Sequence, residues 1–581
     1  MASTGTSSRI TLLFSVALFD PFEAIIMDHR SAAAPAAQPT ARAAARSFRV
    51  LVTDGIDQEG IDLLSAEPRL QVDVSPTLPP AELLERIADY DAVIVRSATK
   101  VTEEVIRRGT SLKVIGRAGV GIDNIALKAA TTLGVAVINS PAGNTVAVAE
   151  LFFASVLSLF RHLAAADASM KGGKWERNKL VGRELHGRTL GIVGVGPIGG
   201  EVAQRARAFG MRVMAFDPYV TDTRLQALQV QRASTLETLL ASADILTVHT
   251  PLTAETRGLI GREALARLAP TALVVNLARG GIVDQDALVE ALEQGRIGGA
   301  VLDVYEVEPL PPDHALRRAP NVILTPHLGA STVEAQRNVA VDACAAVRDA
   351  LLHQELGRSI NVASLDGVGW AELQPALLLA RRLAALARAL LADKGVKLVG
   401  RLTVRIGQEL TGGRDAFLAA AALGALEGVV ESDRLNLINA RALAAKRGLE
   451  VAVGDLSDVE HPAAIEVTVG SELESVTVAG TAPARTTPHL TRIEGFRVDI
   501  APRQTLIILT NHDVPGVIGR VGTLLGAAGV NIAEYHQARL RQGGEALAAV
   551  SVDDPVSQDL RRRLLELPDV RSATIVSFLG T

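Results

Sequence analysis

One cysteine, Cys344, stands among 581 residues, and that scarcity excludes an intrachain disulfide or a thiolate cage around a metal. Cys344 sits in "VDACAAV", an apolar helix face where a thiol packs as core and is not a nucleophile. Long apolar runs are also lacking. None approaches the roughly 18 residues needed to cross a bilayer, so no membrane insertion is expected. Positive charge is not in excess either: 59 Lys and Arg against 64 Asp and Glu give a formal charge of -5. Nucleic acid is therefore not an expected partner, and a cytoplasmic globular protein is. At roughly 150 residues per domain the chain holds three or four domains.

Residues 1–47 differ in character from the rest of the chain. "SAAAPAAQPTARAAARS" is Ala- and Pro-rich and cannot fill a core, while Asp20, Glu23 and Asp28 do not suit a transit peptide. The expectation is a disordered tail, or sequence upstream of a start at Met27. From Phe48 the pattern becomes short apolar strands alternating with helical stretches: "FRVLVTD", "AVIVRS", "LKVIGRAG" and "VAVINSP". That alternation implies a parallel sheet. A long apolar helix begins after Asn144 and Thr145 and links this domain to a second βα series, with strands in "RTLGIVGVG", "RVMAFDPY", "ADILTVHTP", "ALVVNLARGG", "GGAVLDVYE" and "NVILTPH". The helix in "STVEAQRNVAVDACAAVRDALL" returns the chain to the first domain.

The expected fold class is α/β: two doubly wound parallel-sheet domains, an α+β intervening domain and a small C-terminal α/β module. The expected boundaries are 48–146 with 329–361, 147–328, 362–502 and 503–581. In the intervening part, "LQPALLLARRLAALARALLA" reads as a helix and "AIEVTVG", "LESVTVAGT" and "FRVDIAP" as strands. The last module reads strand, loop, helix, two strands, helix, strand.

Gly194, Gly196 and Gly199 form G-x-G-x-x-G between an apolar strand and a helix, with Pro197 and Ile198 inside the motif. Missing side chains let a pyrophosphate approach the backbone and the helix N-terminus. Alone this is a weak signal, and a glycine turn without function has the same pattern. Asp217, ending the next strand, strengthens it: a carboxylate there accepts from adenosine ribose hydroxyls and repels a 2′-phosphate, so NAD is expected over NADP.

A dinucleotide so bound puts its nicotinamide near the carboxyl ends of the later strands, where unusual polar residues cluster. Arg279 follows "VVNLA", Glu308 lies in "LDVYEVEP" and His327 follows "NVILTP". A lone histidine is more often a satisfied surface or core residue, but this set suits hydride transfer from an alcohol. The imidazole takes the hydroxyl proton, the carboxylate holds its other nitrogen, and the guanidinium grips the substrate acid.

"GVGPIG", "NLARGGIVD", "LDVYEVEP" and "PHLGAST" closely resemble the motifs of the D-2-hydroxyacid dehydrogenases, and the resemblance runs from Arg49 to Asn361. It implies Arg279, Glu308 and His327 as the catalytic set. It implies a nicotinamide contact for Asp303 and cofactor contacts for Thr250, Ala278, Arg279, His327 and Gly329. "VRSATKVT" and "GRAGVGIDN" match the family's substrate loops, placing Arg96, Ser97, Arg117, Val120 and Gly121 against the substrate. Val120 departs from the threonine of many relatives, which removes one side-chain hydrogen bond. No metal is expected.

Arg96, Arg117, Lys171, Lys174 and Arg177 are either solvated surface charges or, if they converge, a site for a doubly charged phosphorylated acid. "LTNHDVPGVIGRVGTLLGAAGVNI" resembles an ACT domain, a small fold that binds amino acids. It implies a serine effector at Asn511, Asp513 and Asn531, with Pro515 and Gly516 shaping the loop; a module that only dimerises is the alternative. Asn511 is not the residue of every relative. Together these features imply NAD-dependent oxidation of 3-phospho-D-glycerate. The alternatives are reduction of glyoxylate or hydroxypyruvate and an NAD-sensing interaction module. A homo-oligomer, dimer or tetramer, is expected because the helix after Asn144 is apolar beyond the needs of one core.

Overall fold

The structure is a computed structural model describing residues 47–363, 369–396, 398–429, 434–456, 461–483 and 487–578. The chain divides into Met1–Arg46 and Ser47–Thr581, and every described residue belongs to the second unit. Apart from Ser47, the expected N-terminal tail lies outside the described residues.

The first sheet contains β1 (Phe48–Val52), β2 (Leu70–Val74), β3 (Ala92–Val95), β4 (Val114–Arg117) and β5 (Ala136–Asn139), all parallel in the order β2-β1-β3-β4-β5. Its central strands are apolar on both faces because helices cover both. The returning helix Val333–His353 supplies one cover: Val339, Ala343, Cys344 and Val347 pack with Val50 and Ile94. At Gly116 a Cβ would sit 2.6 Å from Val347 Cγ2, so glycine is what lets this helix lie so close. Asn361 then seals the edge of β5: its Oδ1 accepts from Val137 N at 2.9 Å and its Nδ2 donates to Val135 O at 2.8 Å.

The second sheet contains β6 (Thr189–Val193), β7 (Arg212–Phe216), β8 (Gln231–Arg232), β9 (Ile245–Val248), β10 (Leu273–Asn276), β11 (Gly299–Leu302) and β12 (Val322–Leu324). The order is β12-β11-β10-β9-β6-β7-β8. The winding reverses between β6 and β9, and the crevice at such a switch point is where an open parallel sheet binds ligands. The helix Thr145–Phe160 enters this domain and buries Phe152, Phe153 and Val156 against it.

The third sheet is mixed, in the order β14-β13-β15-β16-β17-β18. Its strands are β13 (Arg401–Ile406), β14 (Glu450–Asp455), β15 (Ala464–Gly470), β16 (Ser475–Thr481), β17 (His489–Ile493) and β18 (Phe496–Ile500). The helix Trp370–Asp393 lies across it. Sequence reading finds that helix and three of these strands; β13, β14, β17 and the helix Arg414–Leu426, buried from Ala416 onward, carry no clear single-sequence pattern. The fourth sheet contains β19 (Thr505–His512), β20 (Ile532–Arg539), β21 (Glu545–Val552) and β22 (Val570–Ser577), in the antiparallel order β20-β21-β19-β22. One face, with Ile507, Leu509 and Val550, packs on the module's own helices. The other, with Leu506, Ile508 and Ala549, joins the core of the intervening part.

The intervening part also grips the first domain. Asn436 Nδ2 donates to Gly134 O at 2.7 Å, Arg434 donates to Gly109 O, and Ile438 enters the first domain's core. Gly134 has φ +70°, and a Cβ there would meet Asn436 Nδ2 at 2.7 Å. This clamp closes on the turn before β5, whose far end holds a substrate loop.

Among the described residues no single helix is long and apolar enough to cross a membrane, though the bent pair Thr145–Phe160 and Leu163–Lys171 passes the length and composition test together. The first of the two is largely buried core, which satisfies the same test.

Candidate active site

The glycines of the first loop have three different reasons to be glycine. Gly194 has φ +92° and faces the end of β9, where a Cβ would stand 2.7 Å from His249 O and 2.8 Å from Thr250 Cγ2. A Cβ on Gly199 would collide with Gly194 O. Gly196 has nothing within 4 Å of that position: packing does not require it, so it leaves backbone open to an incoming group. Gly196 is also the N-cap of the helix Pro197–Ala208, with Pro197 at its start and no side-chain cap, so the helix's first N–H groups remain available to an anion. Ile198 is packed against the domain core.

Asp217 closes the crevice from β7. Its Oδ2 accepts from Val195 N of the glycine loop at 2.8 Å, and its Oδ1 accepts from Tyr219 N at 2.9 Å and Val220 N at 3.2 Å. Thr250 Oγ1 is buried without a hydrogen-bond partner among the described residues. Beside it, burial holds the His249 imidazole down at about 4, so that ring is neutral at pH 7 and donates or accepts without charge. An open glycine turn, an uncapped helix start, a carboxylate at the next strand end and an orphan hydroxyl together fit a dinucleotide.

His327 follows β12 in the left-handed region, φ 55°, which a histidine adopts only when its surroundings enforce it. Asp303, at the end of β11, provides the enforcement. Its backbone carbonyl accepts from His327 N at 2.9 Å. Its Oδ1 accepts from Thr325 Oγ1 and Leu328 N, both at 2.6 Å, and its Oδ2 from Gly329 N at 2.8 Å. Asp303 is 0% exposed. Its visible role is to hold the turn that carries the imidazole, and a nicotinamide amide would have to share Oδ2 with Gly329.

Glu308 bridges the turn and the ring: Oε2 lies 2.8 Å from His327 Nδ1, and Oε1 accepts from Tyr305 N at 3.0 Å. With the carboxylate accepting at Nδ1, the neutral ring carries its proton there and keeps the Nε2 lone pair, an arrangement able to accept a proton. His327 and Glu308 side chains are 48% and 38% exposed, so the pair is accessible from solvent.

Arg279 follows β10. Asn276 organises the turn, donating to Arg279 O at 2.8 Å and accepting from Ala278 N at 3.1 Å. The guanidinium crosses to the first domain, where Nε donates to Asp123 Oδ2 at 3.0 Å. A Cβ on Gly121 would collide with Arg279 Nη2, so this glycine makes room for the arginine. Sequence reading misses Asp123 although it stands within "GRAGVGIDN"; an acid inside a loop read as anion-binding is the available signal.

The two substrate loops are tied together. Asp54 Oδ2 accepts from Arg96 N at 2.9 Å and Thr99 N at 3.0 Å, and Asn124 Nδ2 donates to Arg96 O and Thr99 O, both at 2.7 Å. Ser97 is exposed, and Val120 O accepts from Asn139 Nδ2 at 2.6 Å. Arg117 folds back over Gly119, whose φ of +147° admits no side chain there. Its Nε is buried without a partner among the described residues. Burial first, then the nearby Arg279 and Arg96, push its guanidinium down to about 10, partly offset by Asp123 and Asp54. Three arginines thus meet at one cleft without enough carboxylate to neutralise them, which is the electrostatics of an anion site. Lys171 does not join them: it is paired with Asp167 at 2.6 Å. Lys174 and Arg177 are both exposed.

The expected effector residues separate. Asn511 is 1% exposed; it donates to its neighbour His512 O and accepts from Gln537 Nε2 at 3.3 Å. Asp513 accepts from Gly543 N at 3.0 Å and Arg539 Nη1 at 3.3 Å, and these bonds, the first above all, hold its carboxyl below the usual range. Both stand near Ala546, whereas Asn531 is bonded to Asp553 Oδ2 at 2.6 Å, just beyond Val552. The eight residues of β21 put these ends roughly 20 Å apart. One small ligand cannot touch all three residues within one chain, so Asn511 and Asp513 form one half of any shared contact set and Asn531 the other. Gln537 and Arg539 escape sequence reading because an alternating strand hides which residues turn inward.

Residues 153–329 match the D-isomer specific 2-hydroxyacid dehydrogenase NAD binding domain, and residues 505–569 match the ACT domain. A D-3-phosphoglycerate dehydrogenase of Synechocystis sp. is 40% identical over 536 residues, 91% of this chain and 95% of that one. The protein of the same name from Bacillus subtilis is 40% identical over 91% of this chain and 99% of its own length. An Arabidopsis thaliana relative, D-3-phosphoglycerate dehydrogenase 2, chloroplastic, is 38% identical over 88% of this chain and 84% of its own.

Proposed function

The chain belongs to the D-3-phosphoglycerate dehydrogenases, NAD-dependent oxidoreductases, and from that premise we propose the residues that carry the reaction, its substrate and its control. The reaction is oxidation of 3-phospho-D-glycerate to 3-phosphohydroxypyruvate, the first step of the phosphorylated route to L-serine. NAD, when bound, accepts the hydride from C2 of the hydroxy acid. His327 Nε2 takes the hydroxyl proton while Glu308 keeps Nδ1 protonated and stabilises the imidazolium that forms. Arg279 orients the substrate carboxylate and polarises the developing carbonyl. Asp303 positions the base by fixing its turn. Gly194, Gly196, Pro197, Ile198, Gly199, Asp217, Thr250, Ala278 and Gly329 line the dinucleotide.

The observation that carries the substrate is the grouping of Arg96, Arg117 and Arg279 around Gly119–Asp123: one guanidinium suffices to grip a carboxylate, and the other two supply donors for a phosphoryl group. Ser97, Val120 and Gly121 belong to the same loops. We assign 48–146 with 329–361 to substrate binding, 147–328 to NAD binding, 362–502 to the intervening domain and 503–581 to regulation by serine, in a cytoplasmic homo-oligomer.

The test is NADH consumption with 3-phosphohydroxypyruvate against unphosphorylated hydroxypyruvate, with and without serine. Strong preference for the phosphorylated acid supports the substrate, and inhibition by serine supports the effector. Equal rates return the chain to a general hydroxyacid reductase. No turnover would favour an interaction module.

A further inference from the structure

Asp217 can select a cofactor only if its carboxylate points one way, and it sits at the start of a loop of largely exposed residues, Asp217 to Asp222. The loop's inner side is held by the three N–H groups that donate to the carboxylate. Its outer side, the carbonyls, would be left to water but for one residue. Arg232 Nη2 donates to Val220 O at 2.7 Å, Nη1 to Asp217 O at 3.3 Å, and Nε to Asp222 Oδ1 at 2.7 Å. A planar guanidinium presents its donors in a fixed fork, so all three acceptors are fixed relative to one another.

The element that delivers this fork has little other purpose. β8 has two residues, both exposed, at the edge of the second sheet, and is joined to β7 through Met214 with Gln231 and Ala215 with Arg232.

We infer that Arg232 is a positioning residue of the adenosine pocket that sets NAD affinity, and with it the preference for NAD over NADP, by locking the Asp217–Asp222 loop. It rests on the reading of Asp217 as the ribose contact, and it concerns the cofactor end alone. A locked loop presents the carboxylate already oriented, so the ordering cost falls at folding and not at binding.

The experiment titrates NADH into the full-length wild type, Arg232→Ala and Arg232→Lys, following quenching of protein fluorescence or transfer to the nicotinamide, and then measures kcat and both KM values. Arg232→Ala should weaken NADH binding about 10-fold, raise KM for NADH in step, and leave kcat and KM for 3-phosphohydroxypyruvate near wild type. The ratio of kcat/KM for NAD to that for NADP should fall by a similar factor, because only the ribose side is loosened. Arg232→Lys keeps the charge and loses the fork, so it should resemble Arg232→Ala. Unchanged NADH affinity in Arg232→Ala overturns the assignment, as does full recovery in Arg232→Lys, which would make the effect one of charge alone. A fall in kcat with both KM values unaltered would mark general loss of structure and also overturn it. The NADH titration needs no second substrate, so an error in the proposed acid would appear as absent turnover with cofactor binding intact.

Discussion

The catalytic cleft and the C-terminal module treat sequence distance in opposite ways. In the cleft, Arg279 and Asp123 are 156 positions apart and share a 3.0 Å ion pair, because two parallel sheets point their strand ends at one gap. In the module, Asn511 and Asn531 are near neighbours in sequence yet stand at opposite ends of one sheet, because a helix carries the chain back before β20 begins. A motif that looks continuous in sequence can therefore be two half-sites, while residues spread over hundreds of positions can form one.

The largest expected effect breaks the cleft. His327→Gln should lower kcat by about 100-fold to 10,000-fold while NADH titration stays close to wild type, and wild-type turnover in the variant would remove His327 from the mechanism. Next comes Arg117. Its folded pKa, about 10, lies below the ordinary arginine range, so the fold disfavours the charged form. The resulting cost is fully present at pH below about 10 and is relieved as pH rises from there towards the ordinary arginine range. Arg117→Gln should therefore raise KM for 3-phosphohydroxypyruvate by about 10-fold to 100-fold and at the same time raise the thermal unfolding temperature at pH 7. Unchanged KM would sever Arg117 from the substrate, and a lower unfolding temperature would show that the buried charge is compensated.

The module is tested by mixing. Asp513→Ala and Asn531→Ala should each weaken inhibition by serine, and co-assembly of the two variants should restore part of it, because half-sites from different copies can then pair. Absence of any recovery would place the effector within one chain after all. The smallest effect belongs to the clamp between the intervening part and the first domain. Asn436→Ala removes one hydrogen bond, worth about 1 kcal/mol, and should show as faster amide hydrogen exchange around Leu133–Val135 with KM for the acid altered less than about 3-fold. Exchange indistinguishable from wild type would make the clamp a mere contact.

Much of the cleft is legible in the order of residues. The glycine loop and Asp217 are readable because a nucleotide fold needs them at fixed points along one strand, turn and helix. Arg279 and His327 are readable because each follows an apolar run, and a polar residue at a parallel strand end has one crevice to face; Glu308, six residues beyond β11, is readable through the motif "LDVYEVEP". Asp303 reads as a ligand contact, and its hold on Thr325, Leu328 and Gly329 is not legible, since nothing in "LDVYE" says whether a carboxylate turns outward or inward. Arg232, on a strand of two residues, has no periodicity to reveal it. The intervening sheet is half legible, since β13 and β14 pair with strands distant in sequence and depend on that pairing more than on local preference, while β17 pairs with its neighbours β16 and β18 across register shifts.

The chain's own order of residues accounts for the local frames of this protein: parallel βα units, a phosphate-binding turn, the residue types at strand ends and a terminal module of strand and helix. Those arise from short-range sterics, periodicity and glycine geometry, which act over a few residues. Which charges meet was settled by the packing of whole domains. That packing crowded three arginines at Gly119–Asp123, buried Asp303 beneath the His327 turn, and parted Asn531 from Asp513. Such outcomes depend on how sheets stack and where their ends fall, and burial and Coulomb forces act on that final arrangement and not on positions along the chain.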